Sequence, residues 1–544
     1  MRSLFERDTG GRSSFITELD PVPFVAGAAV AIGFVAYTAY DVAAVGNAID
    51  WAFGTLGQGL AWLYLGGMLV LVGLGAYLMV SEYGTTKLGD GTPEYGYLSY
   101  VAMFFSAGLS AGIVFFGPAE ALGYYRNLPP LFEGTATAET TSAVVPAIAY
   151  TIFHYGVSAW GGYLAIGLPV AYFAYRYDAP FRVSTALYPV VGADGLDGVL
   201  ARGVDTAAVI ATIGGVATGL GFIATQLLAG ITFETGRAFG DAETVLAITG
   251  ITTFFTVSLI AGVSKGIRRV SQFNIGLMTL LWLVALLGGP TLLLLNTGVA
   301  ALGTYGGNFL DMSLFTGASG GASWSVAWTV FYWSWWIAWA PFVGLFLARI
   351  SRGRTIRTVV GTAFLTMTAT SALWFTVVGG SSVWLQHTGA VDLLGATSEF
   401  GNGVAGFALF GSFPGGTVWQ LLFFVLVTTF FVTSADSSTL ALGMLTTGGK
   451  RSPSNLNRVF WGVLQGVIAS VLVVVGGAAA LRSSVIVTGA PFAIVCLVAM
   501  IGFVRWLRVE HGSTAATDEP TAPRDDRRST DETPLNESVA SDSN

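Results

Sequence analysis

Residues 22–40 with their flanks, 60–80 and 459–480 are each about as long as a bilayer is thick, and none contains a charged residue. A helix of about 20 residues crosses roughly 30 Å of hydrocarbon. Inside that layer the backbone finds no water, so a crossing segment must satisfy its own hydrogen bonds, which a helix does. Twelve such stretches occur, near 22–42, 57–81, 98–125, 143–175, 204–231, 243–263, 272–296, 324–348, 358–381, 417–446, 459–480 and 484–507. With 53% of residues hydrophobic and 10% charged, against about 25% charged in soluble chains, the composition agrees. The expectation is an all-α integral membrane protein with twelve transmembrane helices, surrounded by lipid and without a nucleic-acid partner. Several stretches exceed the spanning length, which predicts tilt, breaks or projection beyond the bilayer.

Orientation follows from the basic residues, which collect on the cytoplasmic side. With the N-terminus inside, all but Arg126, Arg237 and Arg482 of the 25 Lys and Arg fall on the inner side. Both termini are then cytoplasmic. Residues 1–20 form a polar tail without a signal-peptide core, 21–508 the membrane domain, and 509–544 an acidic tail whose composition reads as disordered. Cys496 is the single cysteine, so no intrachain disulfide is possible, and His154, His387 and His511 lack metal-ligand spacing. Such a chain offers no Ser-His-Asp or metal arrangement for an enzyme. The segments 178–205, 303–324 and 380–418 are long enough for lateral helices, and 309–315 fits a short interfacial one.

Four segments inside the spans carry chemistry. Residues 331–342 read Phe-Tyr-Trp-Ser-Trp-Trp-Ile-Ala-Trp-Ala-Pro-Phe. At helical spacing Trp335, Trp336 and Trp339 cover about half the circumference and cannot all face lipid. An interfacial belt would place one or two rings near a helix end; four along the middle read as a cluster able to hold a cation against π faces. In the fourth span Tyr155, Trp160 and Tyr163 offer a second aromatic wall. Residues 106–112, Ser-Ala-Gly-Leu-Ser-Ala-Gly, make a poor helix interior. They suit close helix packing or an unwound stretch facing a cavity. Glu120 follows in the same span, and a carboxylate at membrane depth is costly and usually functional. In the tenth span Thr433 and Ser434 present hydroxyls of the kind Na⁺ accepts, or hydroxyls that bond back to the preceding turn, with Asp436 close by.

These residues resemble the betaine/choline/carnitine transporter family. The resemblance is carried by residues 332–354, Tyr-Trp-Ser-Trp-Trp-Ile-Ala-Trp-Ala-Pro-Phe-Val-Gly-Leu-Phe-Leu-Ala-Arg-Ile-Ser-Arg-Gly-Arg. Phe116-Gly-Pro-Ala-Glu120, Tyr124-Tyr-Arg-Asn127, Lys265-Gly266 and Thr429-Phe-Phe-Val-Thr-Ser-Ala-Asp-Ser437 follow the family order, and the likeness spans roughly 20–508. It implies the leucine-transporter fold, with two inverted five-helix repeats over spans 3–7 and 8–12, alternating access, a homotrimer and a plasma-membrane location. The implied substrate box is Tyr155, Trp160, Tyr163, Trp335, Trp336 and Trp339, with Gly108 and Gly112 letting the backbone approach. Tyr155 stands where relatives usually have Trp. The implied Na⁺ ligands are Ser106 and Leu109 of span 3 with Phe430, Thr433 and Ser434 of span 10. A second Na⁺ site would use Thr212 and Phe342, but Val216 replaces its other threonine.

Choline- and proton-linked relatives tend to carry Asp at the position of Gly112, and Na⁺-independent exchangers place an arginine in the core, which no span has here. The resemblance therefore implies a Na⁺ symporter importing glycine betaine or a related trimethylammonium osmoprotectant, with Na⁺ as coupling ion and no other cofactor. The alternative is a choline or carnitine carrier of the same family using protons or exchange.

Overall fold

A computed structural model describes residues 12–108, 110–260 and 264–517. These are helical throughout, joined by turns, with a single isolated antiparallel bridge between Lys87 and Thr355. In chain order the main helices are α1 (Pro21–Tyr40), α2 (Ala61–Val80), α3 (Tyr97–Gly108), α4 (Ser110–Arg126), α5 (Thr141–Tyr155), α6 (Val157–Arg176) and α7 (Val199–Thr235). They continue with α8 (Asp241–Ile260), α9 (Ser264–Gly288), α10 (Thr291–Gly307) and α11 (Phe331–Ile350). The last three are α12 (Ile356–His387), α13 (Gly416–Leu445) and α14 (Asn455–Thr517). Among the described residues nine helical stretches are long and apolar enough to cross a membrane, or ten when the bent pair α3–α4 counts as one span.

Local chemistry sets the ends and breaks. Asp20 caps α1 by accepting from the Val22 amide, and Pro21 occupies the first turn, where no amide donor is needed. Gly236, at φ 69°, ends α7 in the left-handed conformation. The seventh predicted span, 272–296, is cut at Gly289–Pro290: α9 stops at Gly288 and α10 starts afresh. Residues 309–314 form the expected short helix. α14 runs through the predicted spans 11 and 12, with non-helical backbone at Gly476 and Gly477 dividing it. It also passes the boundary drawn at 508, reaching Thr517; there Glu510 accepts from Tyr172 and Tyr177 and faces Arg176.

α5, α6, α7 and α11 are almost wholly buried, whereas α1 and α9 leave most of their surface outward. Lipid gives no hydrophobic drive for helices to associate, so close packing must hold the buried ones. α6 lies along α11 and α7 along α14. The α6–α11 crossing rests on Gly167 and Gly344: a Cβ on Gly344 would lie 2.8 Å from that of Ile166, and one on Gly167 would lie 3.2 Å from the Gly344 carbonyl. This approach brings the aromatic residues of the fourth and eighth spans to one place.

The Ser351–Arg354 turn follows directly on α11. Leu88 accepts from the Gly353 amide and donates to the Arg354 carbonyl, both at 2.8 Å. The Arg354 guanidinium lies 3.9 Å from the Tyr100 ring centroid and donates to the Tyr95 carbonyl, while the Tyr100 hydroxyl meets Ser351 Oγ at 2.8 Å.

Candidate functional site

The third predicted span is not one straight helix. α3 and the following helix meet at 65°, so of the two readings of 106–112 the structure takes the broken one. The last carbonyls of α3 lack helical donors, and tyrosines of the fourth span donate on both sides of the bend. The Tyr163 hydroxyl donates to the Gly108 carbonyl at 2.9 Å, and the Tyr155 hydroxyl donates to the Gly112 carbonyl at 3.3 Å. Gly108 sits so close to Trp160 that a Cβ there would come within 2.5 Å of the indole. At Gly112 a Cβ would stand 3.6 Å from the Tyr155 hydroxyl and 3.7 Å from both Trp335 and Trp336, which is ordinary contact. The α-carbon of Gly112 thus faces the tryptophans.

All six aromatic residues picked from the sequence join one buried network. Trp335 and Trp336 lie nearly parallel, 6° apart, with centroids at 5.4 Å. Tyr155 meets Trp336 edge-on at 5.2 Å, Tyr163 meets it at 6.3 Å, and Trp160 joins through Tyr163 at 5.5 Å. Trp339 stands edge-on to Trp335 at 5.6 Å. None of the six is more than 2% exposed. Two indoles are aimed by backbone carbonyls: Trp335 donates to Gly215 at 3.1 Å and Trp336 to His154 at 2.9 Å. Trp160 and Trp339 have no partner for Nε1. Such a wall of π faces suits an onium group, which has no hydrogen to donate and is held by the ring quadrupole.

A bent helix against an aromatic box, built from the residues that carried the resemblance, is matched along the chain. The betaine/carnitine/choline family of transporters matches residues 22–512. This chain belongs to the betaine/carnitine/choline transporter family. It is 38% identical over 473 residues to a glycine betaine transporter of Bacillus subtilis, covering 85% of this chain and 90% of that one. It is 35% identical over 521 residues to a high-affinity choline transport protein of Escherichia coli, covering 93% and 75%. An uncharacterised transporter of Mycobacterium tuberculosis is 37% identical over 513 residues, covering 93% and 86%. The protein is accordingly a multi-pass membrane transporter.

In this family member the expected ion ligands are distributed as follows. α3 and α13 adjoin, with the rings of Phe105 and Phe430 at 6.2 Å. Ser106 is buried and its hydroxyl has no partner. Thr433 donates to the Phe430 carbonyl at 2.7 Å, the back-bond weighed from the sequence, which leaves its oxygen lone pairs free to accept. Ser434 is buried one residue on. Leu109 lies outside the described residues. For the second set, Thr212 is buried with an unpartnered hydroxyl, and Phe342 packs on Trp339 at 5.2 Å. Val216 is buried one turn beyond Thr212, where a hydroxyl would otherwise stand.

The sequence reading missed several participants. Tyr332 stacks on Trp336 at 5.8 Å, and Phe116 and Phe222 each stand 5.9 Å from Trp335. Tyr332 falls three and four residues before Trp335 and Trp336, a spacing that would have placed it on their face. Arg482, assigned to an outer loop, instead lies within α14, its guanidinium over Phe331 at 5.2 Å and Trp328 at 5.5 Å. The expectation that no arginine enters the helical core needs this correction. Arg482 escaped because the helix after the Gly476–Gly477 break begins earlier than the predicted start at 484.

Proposed function

We propose that this transporter carries glycine betaine, or a related trimethylammonium zwitterion, across the plasma membrane together with Na⁺. The observation carrying the substrate is Gly112. Its α-carbon faces Trp335, Trp336 and Tyr155 without a carboxylate, so this wall of the box offers π faces to an onium and no carboxylate in direct contact with it. A betaine brings its own carboxylate, for which the amides opening α4 are the fitting partner. The relative from Bacillus subtilis is named a glycine betaine transporter, which supports the same substrate.

Na⁺ fits the donors present. Hard cations prefer oxygen, and carbonyls of Ser106 and Leu109, completed by Phe430, the Thr433 hydroxyl and Ser434, would hold it between α3 and α13. Thr212 and Phe342 would frame a weaker second site, short of one oxygen at Val216. In this reading there are twelve spans, of which 3–7 and 8–12 form two inverted five-helix repeats, both termini are cytoplasmic, the protein assembles as a homotrimer, and it imports an osmoprotectant without catalysing a reaction. Uptake of labelled betaine, choline, carnitine and proline into proteoliposomes, with and without a Na⁺ gradient, tests both parts. Betaine accumulation that needs Na⁺ supports them. Choline or carnitine accumulation without Na⁺ would replace them with the proton-linked or exchange alternative, which the relative named for choline in Escherichia coli keeps in view.

A further inference from the structure

Beside the aromatic box lies a buried polar cluster that the betaine reading leaves unused. Glu120 of α4 and His154 of α5 are wholly buried. The carboxylate receives the Tyr124 hydroxyl at 2.6 Å on Oε1 and the Tyr332 hydroxyl at 2.7 Å on Oε2. His154 Nδ1 stands 3.0 Å from Oε1 and 2.6 Å from the Tyr124 hydroxyl. On its far side Nε2 stands 3.1 Å from Thr329 Oγ1. The imidazole stacks on the Tyr332 ring at 4.6 Å and 27°. The other ionisable groups around the cluster are Tyr150 beside His154, Tyr155 beside Tyr332, and Arg482 of α14, whose field reaches Glu120.

Counting protons shows what this arrangement accommodates. With one proton on Nδ1, neutral His154 donates to Glu120, both tyrosines donate to Glu120, and Thr329 donates to Nε2. Adding one proton at Nε2 makes that nitrogen a donor to Thr329 Oγ1, whose hydroxyl hydrogen is free to rotate away. The imidazolium then pairs with Glu120 and lies over the Tyr332 π face. No donor or acceptor of the dyad is stranded in either state. The proton comes from bulk water and returns to it, and no other bond changes.

The cluster is joined to the box twice. Tyr332 carries His154 on one side and Trp336 on the other, and Trp336 donates its indole N–H to the His154 carbonyl. We propose that Glu120 and His154 form a one-proton site whose occupancy opposes binding of an onium group in the adjoining box. This rests on the betaine reading, because an imidazolium repels an onium held at Trp336. By reciprocity, betaine binding releases the proton and acid weakens betaine.

Calorimetric titration of the purified full chain with betaine, in two buffers of different ionisation enthalpy near neutral pH, tests the linkage. Release of a fraction of a proton per betaine is expected. Affinity should weaken as the pH falls and the dyad takes up its proton, by up to roughly fifteenfold, the scale for charges roughly 10 Å apart at an effective dielectric near 20. His154→Gln should bind betaine without that pH dependence. Thr329→Val, which keeps the volume but removes the acceptor for Nε2–H, should move the midpoint to lower pH. Binding with no proton change, tighter binding in acid, or an unaltered pH profile in His154→Gln would overturn the proton site alone. No binding heat at any pH would overturn the betaine reading beneath it.

Discussion

Tyr155 donates its hydroxyl to the Gly112 carbonyl at 3.3 Å, so a residue of the fourth span holds the first turn beyond the bend in the third. Tyr155→Phe keeps the ring and removes the donor. Betaine affinity should fall by about 0.5–1.5 kcal/mol, roughly twofold to tenfold. Tyr155→Trp should stay within about threefold of the parent, since an indole N–H replaces the hydroxyl as donor. Equilibrium binding on the three proteins decides it; equal affinity for the Phe variant would remove the role given to the hydroxyl.

Trp336→Leu keeps bulk and apolarity while deleting a π face that meets Trp335, Tyr155 and Tyr163. Betaine affinity is expected to drop by about 1–2 kcal/mol, roughly fivefold to thirtyfold. Transport by correctly inserted Trp336→Leu with unchanged apparent affinity would show that the box is misassigned.

Gly112→Asp introduces a carboxylate where a Cβ has room, 3.6 Å from the Tyr155 hydroxyl and 3.7 Å from two tryptophans. Opposite charges attract the choline cation, and like charges repel the betaine carboxylate. Choline uptake should appear and betaine uptake should fall. Both substrates are to be measured on one preparation, and a variant keeping full betaine preference contradicts the selectivity argument.

Replacing Thr433 and Ser434 together by Ala removes two oxygens from the proposed ion shell and none from the box. The Na⁺ concentration needed for half-maximal uptake should rise steeply, with betaine contacts unchanged. Val216→Thr restores a hydroxyl one turn from Thr212, and the Hill coefficient for Na⁺, expected near one in the parent, should move toward two. Uptake that is equally fast without Na⁺ in the parent would end the coupling scheme.

The aromatic box was legible in sequence because its residue types are dense and helical spacing restricts where they can point. Tyr332 was missed although that same spacing includes it. The bend at 108–112 was half legible: small residues announce either packing or unwinding, and only the tyrosine hydroxyls on a distant helix decide between them. Glu120 was marked as costly, but its partner His154 is 34 residues away on another helix, a pairing no local pattern encodes. Arg482 was hidden because the backbone breaks only at Gly476 and Gly477, so the helix that follows already includes it, ahead of the apolar run that hydropathy sees starting at 484.

Arg354 seated on Tyr100 joins the Ser351–Arg354 turn to α3 as a mechanical linkage. Any movement of the turn relative to α3 would have to break the cation–π contact and the Tyr100–Ser351 hydrogen bond together. Because Arg354 is buried, that contact is shielded from dissolved ions and holds the turn against α3 at low and high salt alike.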